Sequence, residues 1–246
     1  MAPRPVADGA RDPRALHGLF VTGTDTGVGK SVVAAAIVAA LRERGVPVQA
    51  RKPVVTGLDE PGDAEWPPDH VLLAGAAGSD PEEVVSIGYG PPVSPHLAAE
   101  LQGGDPPSVG SLAAAVRARA EPGVTVVVEG VGGLLVPLGP DGDVRALAVE
   151  LDLPLVIAAR PWLGTINHTL LTLEAARRAG LRVAAVVLTP WPARPGTVER
   201  SNRETIARLG DVEVATLAPI AAGRSELLAA AGAALPLARW LSAYSS

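Results

Sequence analysis

Residues 21–31 read Val-Thr-Gly-Thr-Asp-Thr-Gly-Val-Gly-Lys-Ser (VTGTDTGVGKS). The stretch lies between a short apolar run, His17–Thr22 (HGLFVT), and an Ala-rich segment, Lys30–Arg44 (KSVVAAAIVAALRER). The run has the length and continuity of a buried strand. The segment is apolar on most faces and gathers charge only at its end. With Gly45 behind it as a C-cap, it reads as a helix buried between a sheet and another layer. A Gly-rich turn in that setting aims backbone N–H groups and the positive end of the helix dipole at one point, which suits phosphate. The N–H groups of Thr26, Gly27, Val28, Gly29, Lys30, Ser31 and Val32 are the candidates. Lys30 supplies a point charge to the outer phosphates, and the Ser31 hydroxyl can ligate Mg²⁺. The standard motif has four residues between its first Gly and the Gly-Lys pair. Counting back from Lys30, that first position is Thr24 and Gly23 stands one residue early, so this is a lengthened variant. The Gly27-x-Gly29 pair is not a dinucleotide fingerprint, because no third Gly follows at the required spacing.

Working outward, Val46–Lys52 is a second strand, ended by Pro53 and expected beside the first. Thr56–Pro68 is Gly/Pro/acid-rich and reads as a loop; Asp69–Ala77 is a short helix with Asp69 near its start. Pro91–Gln102 and Ser108–Ala120 read as helices. Val124–Val128 is a continuous apolar strand that ends in Glu129, with Gly-Val-Gly-Gly after it. Strands at Pro154–Ala159, Leu181–Leu188 and Val212–Leu217 alternate with helices at Thr165–Ala179, Thr197–Leu209 and Ser225–Ala243. That alternation predicts an α/β class, a mostly parallel sheet flanked by helices, in one phosphate-loop NTPase domain spanning residues 17–246. Residues 1–16 (MAPRPVADGARDPRAL) read as a disordered leader. They lack an apolar core of the kind a secretory signal carries, and no run is long enough to span a membrane, so the expected location is cytoplasmic.

Composition narrows the function classes. The 246 residues suffice to bury roughly 70% of the extended-chain surface in a full core. Net charge is −5, from 21 basic and 26 acidic residues, with no basic run, and aromatics make up only 3%. Wrapping of duplex nucleic acid and stacking on single strands are both disfavoured. The absence of cysteine excludes a disulfide scaffold, a thiol nucleophile and Cys-ligated metals. The four histidines (His17, His70, His96, His168) have no metal-ligand spacing and read as structural or polar contacts.

Ligands of a parallel sheet bind at the carboxyl ends of its strands. Glu129 ends the most apolar strand, where an acid meets a metal or an attacking group. Gly130, Val131, Gly132 and Gly133 then leave room for a phosphate. Lys30 and Lys52 are the only lysines; every other basic residue is Arg. Lys52 would place a second ammonium near the γ-phosphate, which suits an enzyme that holds an anionic second substrate beside ATP. Thr56 follows on a loop over the same edge. Among Asp59, Asp63 and Asp69, Asp69 is favoured as an acid of the site because it opens a helix.

Together these segments resemble dethiobiotin synthetase: VTGTDTGVGKS (21–31), KPVVTG (52–57), SPH (94–96), VVVEGVGGLLVPL (126–138) and LGTINHTLLTLEA (163–175). They run in order from Phe20 to about Leu188, and the lengthened loop and the Lys-Pro pair are typical of that family. The resemblance implies an ATP-dependent carbon–nitrogen ligase of biotin biosynthesis. It closes the ureido ring of dethiobiotin from 7,8-diaminononanoate and CO₂, through a carbamate and a carbamic–phosphoric anhydride, and releases ADP and phosphate. It implies Lys52 and Lys30 as catalytic cations and Ser31, Asp69 and Glu129 as Mg²⁺ ligands. Thr26, Lys52 and Thr56 become substrate contacts. Leu163, Gly164 and Asn167 would bind the substrate carboxylate across the interface of a homodimer. Thr189, Pro190 and Pro219 fall near the nucleotide base. Two departures stand out: Gly27 replaces an acid found in many members, and Thr189-Pro190 stands where some place an adenine-reading Asn.

Two other classes compete. A phosphate-loop ATPase switch that binds partner proteins would need a nucleotide-sensing acidic segment, of which there is no clear case. A cobyrinate-type amide ligase usually carries a glutaminase Cys, and this chain has none. Because Thr-Pro offers a base edge fewer donors and acceptors than an amide does, ATP should outbind GTP and CTP by less than about tenfold, or 1.4 kcal/mol. Competition binding with the three nucleotides checks this; a larger preference for ATP overturns it.

Overall fold

The computed structural model describes residues 16–61, 63 and 65–242. The expected leader, apart from Leu16, lies outside the described residues. In chain order the elements begin with β1 (Gly18–Gly23), α1 (Lys30–Glu43), β2 (Val48–Val55), α2 (Asp69–Ala77), α3 (Pro81–Val84) and β3 (Val85–Gly88). Next come α4 (Pro95–Leu101), α5 (Val109–Ala118), β4 (Thr125–Glu129), β5 (Pro137–Gly139), β6 (Gly142–Asp143) and α6 (Val144–Leu151). The chain then forms β7 (Leu155–Ala159), α7 (Thr165–Arg178), β8 (Val183–Leu188), α8 (Thr197–Gly210), β9 (Val214–Thr216), α9 (Ser225–Gly232) and α10 (Leu237–Ser242). Seven strands form one parallel sheet in the order β3-β2-β4-β1-β7-β8-β9, while β5 and β6 make a small antiparallel pair.

The continuous apolar strands follow from burial on both faces. Leu19, Val21, Val127, Val156, Ala158, Ala185 and Val187 point to one core, packed by α1, α2, α9 and α10. Their neighbours Phe20, Val126, Val128, Leu155, Ile157, Val186 and Leu188 point to the other, packed by α5, α6 and parts of α7 and α8. The Ala-rich sequence of α1 serves close approach. A Cβ added to Gly232 of α9 would stand 2.1 Å from the Ala36 carbonyl oxygen.

Several sequence expectations change. The second strand lies not beside the first but one place away, with β4 between them. Val126–Val128, apolar and fully enclosed, takes a central position that a crossover through α1 leaves open. Nor does Pro53 end β2. The ladder to β4 closes at Arg51↔Val128, so the missing N–H of Pro53 costs nothing on that side, and pairing to β3 continues through Val54 and Val55. The helix expected from Pro91 starts at Pro95, because Pro95 holds Ser94 at an extended φ −61°, ψ 149°. The tail divides at Pro236 into α9 and α10. Five elements escaped the sequence reading: the one-turn α3, the half-buried β3, the pair β5 and β6, and α6, which the Asp143 carboxylate caps by accepting from Ala146 N–H at 2.9 Å. No helix among the described residues is long and apolar enough to cross a membrane.

Gly232→Val should therefore push α9 off α1 and cost on the order of 1–3 kcal/mol. A lower midpoint in urea, read by circular dichroism, is the expected result; an unchanged midpoint would show that the helices separate freely.

Candidate active site

The carboxyl ends of β1, β2, β4, β7 and β8 bring together the phosphate loop, Lys52, Glu129, Arg160 and Thr189. The loop turns through left-handed backbone at Gly27 (φ 69°) and Gly29 (φ 90°), and Gly29 is also the cap of α1. A Cβ at Gly29 would meet the Thr189 methyl at 2.8 Å, so the loop and the β8 end are in contact. The Lys30 ammonium donates to the Asp25 carbonyl at 3.1 Å and folds back over the loop. Burial lowers its pKa, opposed by Glu129 and reinforced by Lys52.

Strand alternation explains the next contacts. It puts Ala50 and Lys52 of β2, and Val127 and Glu129 of β4, on the face covered by α1 and α2. The first turn of α1 adds Ser31, and α2 begins with Asp69, an acid at a helix N-terminus where the dipole favours it. Lys52 is 1% exposed and donates to Asp69 Oδ2 at 2.8 Å, Glu129 Oε1 at 2.6 Å and the Gly130 carbonyl at 3.1 Å. Those three bonds use every proton of the ammonium. Ser31 Oγ lies 2.6 Å from Asp69 Oδ1 and 2.8 Å from Glu129 Oε1. One hydroxyl proton cannot serve both oxygens. Glu129 Oε2 is buried without any partner.

Charge balance sets the protonation states. Burial alone would lower the pKa of Lys52, but Glu129 and Asp69 outweigh it and raise the pKa, so the group stays an ammonium. Burial raises Glu129, and Lys52 only partly offsets this. Asp69, whose side chain is 42% exposed, is also penalised by burial, but Lys52 and the Ser31 hydroxyl bring it down to about 2. An orphaned carboxylate oxygen, a second carboxylate and a hydroxyl short of protons form a donor set that fits a hard divalent cation such as Mg²⁺. Among the described residues there is no group of three His, Cys, Asp or Glu side chains for a metal, and a magnesium site that also uses phosphate oxygens and water does not require one.

The remaining sequence candidates are distributed as follows. Asp69, and not Asp63 or Asp59, reaches Ser31; the Asp63 carboxylate accepts from Glu65 N–H at 2.8 Å, and Asp59 is exposed beside Gly90. Contrary to expectation, Lys52 does not end its strand, but it does reach the carboxyl edge of β4. Thr26 is exposed on the loop, Thr56 is half-buried just past β2, and Gly130, Val131 and Gly132 follow β4. Thr189, Pro190 and Pro219, with Gly27, Val28, Gly29 and Val32, line a cavity of about 470 Å³ beside the loop. Leu163 and Gly164 line another, of about 130 Å³, against Thr24 and Asp25, while Asn167 stands exposed on α7. His168 lines that cavity too. Sequence reasoning missed three residues: Trp66, Trp162 and Arg160 also line the larger cavity. Arg160 donates to the Gly27 carbonyl at 3.0 Å and lies 5.6 Å over the Trp162 ring. In a chain with four Trp, these indoles were as conspicuous as the two lysines, but no spacing tied them to the loop. A cavity of about 550 Å³ at the opposite, amino end of β1 and β4 holds none of the candidate residues.

A family model described as an AAA domain matches residues 17–221. The ATP-dependent dethiobiotin synthetase BioD of Mycobacterium sp. (strain KMS) is 44% identical over 200 residues, which cover 80% of this chain and 86% of that protein. The chain belongs to the dethiobiotin synthetase family. A second synthetase of that name, from Anaeromyxobacter sp. (strain Fw109-5), is 41% identical over 209 residues, 80% of this chain and 91% of its own. Among solved structures, a ParA family ATPase from Chlorobium tepidum TLS superposes with TM-score 0.54 at 12% identity, covering 89% of this chain and 97% of that one. It shares the phosphate-loop fold alone. Against these dethiobiotin synthetase relatives, the partner-binding switch considered from sequence is not favoured.

The depressed Asp69 has a sign that can be checked. Its ordinary value is 3.8 and its folded value about 2, so its pairing stabilises the fold above the ordinary value and is lost as pH falls through the folded one. In nucleotide-free protein with EDTA, the stability gap between wild type and Asp69→Asn should be full at about pH 6 and should narrow between about pH 4 and 2. Urea unfolding at a series of pH values measures it. A gap that stays constant would show that the Lys52 contact does not set the Asp69 charge.

Proposed function

We propose that this chain catalyses the dethiobiotin synthetase reaction on 7,8-diaminononanoate, CO₂ and ATP. The observation that carries the proposal is Lys52, a permanently charged ammonium enclosed beside the phosphate loop and bound to two acids. A carbamate and a triphosphate repel each other by several kcal/mol in a site poor in water, and bringing them together requires fixed positive charge.

The steps follow from these demands. One substrate amine adds to CO₂ and loses a proton to solvent, giving a carbamate held by Thr26 and Thr56, and by Lys52 once its ammonium exchanges the 3.1 Å bond to the Gly130 carbonyl for a carbamate oxygen. A carbamate oxygen attacks the γ-phosphorus, the bond to the bridging oxygen breaks, and ADP leaves. Lys30 and the loop N–H groups take up the charge spread over the transferring phosphoryl. The second amine then attacks the anhydride carbonyl carbon, phosphate departs with the bonding electron pair and takes up the proton the amine loses, and the ring closes. Lys52 works as a cation throughout, because its raised pKa leaves no neutral amine to act as a base. Ser31, Asp69 and Glu129 would hold Mg²⁺, which supplies charge neutralisation to the phosphates. Much of the rate comes from alignment of the reacting groups.

The carboxylate end of the substrate is assigned to Leu163, Gly164 and Asn167 of a second copy of the chain. Leu163, just ahead of α7, is 89% exposed and Leu171, on α7, is 57% exposed, which supports burial against a partner protomer.

Wild type should hydrolyse ATP only when diaminononanoate and bicarbonate are both present. Hydrolysis that ignores both would overturn the ligase reading. Lys52→Gln should lose turnover by at least about a thousandfold while ATP binding stays near wild type, and Lys52→Arg should fail as well, because a planar fork cannot take three bonds directed from one point. Turnover in either variant close to wild type would remove Lys52 from the chemistry.

A further inference from the structure

The cavity beside the phosphate loop has a wall that the reaction above does not use. Two of the four Trp residues in a chain with 3% aromatics, Trp66 and Trp162, line this one space of about 470 Å³. Its polar side chains are few. The Arg160 guanidinium donates one hydrogen bond to the Gly27 carbonyl and lies over the Trp162 ring, and the Thr189 methyl is turned toward Gly29. Trp66 is half-buried against the same core as Val32 and Ile220, which also line the cavity. Its neighbours pack on a second segment: Gly223 N–H donates to the Glu65 carbonyl at 2.8 Å, and a Cβ at Gly223 would stand 3.3 Å from Pro67 Cδ. Three residues further on, Asp69 enters the charged cluster.

A cavity with broad apolar faces, two of them indoles, opening next to a phosphate-binding turn, suits a flat uncharged heterocycle attached to a triphosphate. We infer that Trp66 is a base-stacking residue, against whose indole the base of a bound nucleoside triphosphate lies flat. This rests on the reading of the loop as a nucleotide site. It adds that the base wall and the acid Asp69 stand three residues apart on one segment.

The test is calorimetric titration of the full chain with ATP, CTP and, as the base-free probe, tripolyphosphate, each with Mg²⁺. Base–aromatic stacking of ordinary strength predicts that Trp66→Ala weakens both nucleotides about five- to a hundredfold and leaves tripolyphosphate within about twofold. Trp66→Phe, which keeps a ring and guards against a folding defect, should retain most of the nucleotide affinity. Nucleotide should change the indole emission of wild type and of Trp162→Phe, but much less that of Trp66→Phe. Equal losses for tripolyphosphate and ATP in Trp66→Ala would make Trp66 a support of the loop and overturn the inference. Wild-type affinity for ATP in Trp66→Ala would overturn it alone. Wild type that binds neither ATP nor tripolyphosphate would overturn the nucleotide reading, and this inference with it.

Discussion

Lys52 carries a positive charge into the interior of a parallel sheet, and only the carboxylates of Asp69 and Glu129 make that position tolerable. Removing one partner from such a group leaves an uncompensated buried charge, which costs several kcal/mol. Much of the architecture serves this contact. β2 pairs β4 so that Lys52 stands one residue past Arg51↔Val128, and β4 pairs β1 so that Glu129 is level with Val21, at the root of the phosphate loop. α2 starts where it does so that its first residue closes the cluster. The charge pattern and the strand order are therefore one constraint seen from two sides.

The parts of the molecule that were legible in sequence are the ones whose cause is local. The phosphate loop is a contiguous string between a strand and a helix, and its glycines, Lys30 and Ser31 read directly. The burial pattern of β4, β7 and β8 is written in runs of Val, Ala, Ile and Leu. Lys52 and Glu129 were visible as charges at the margins of apolar strands, and the family resemblance then joined them. Geometry between distant residues was not legible. Ser31 meets Glu129 across 98 positions, and Lys52 meets it across 77, so their bonds exist only once the sheet order is set. The order itself was misread at β2. A crossover through one helix allows either the adjacent or the next place, and local sequence does not distinguish the two.

Pro53 shows how a sound rule misleads when its setting is unknown. Proline removes a ladder donor, which argues against a strand interior. Here the partner strand has already ended on that side, so the rule does not apply, and β2 runs three residues further than expected. Trp66 is the reverse case. A loop rich in Gly, Pro and acids conveys irregularity, and nothing within it announces that one ring is braced by residues more than a hundred positions away, near Pro219 and Gly223.

The lone proton on Ser31 has a further consequence. Two acceptors contend for it: when Asp69 Oδ1 takes it, Glu129 Oε1 keeps only the Lys52 ammonium, and Glu129 Oε2 is buried with no partner in either case. Leaving that oxygen unpartnered is a cost borne by folding, since a buried acceptor without a donor is destabilising. A divalent cation held beside it would meet one carboxylate oxygen with no bond to give up, so that part of the affinity for such an ion would be set when the chain folds.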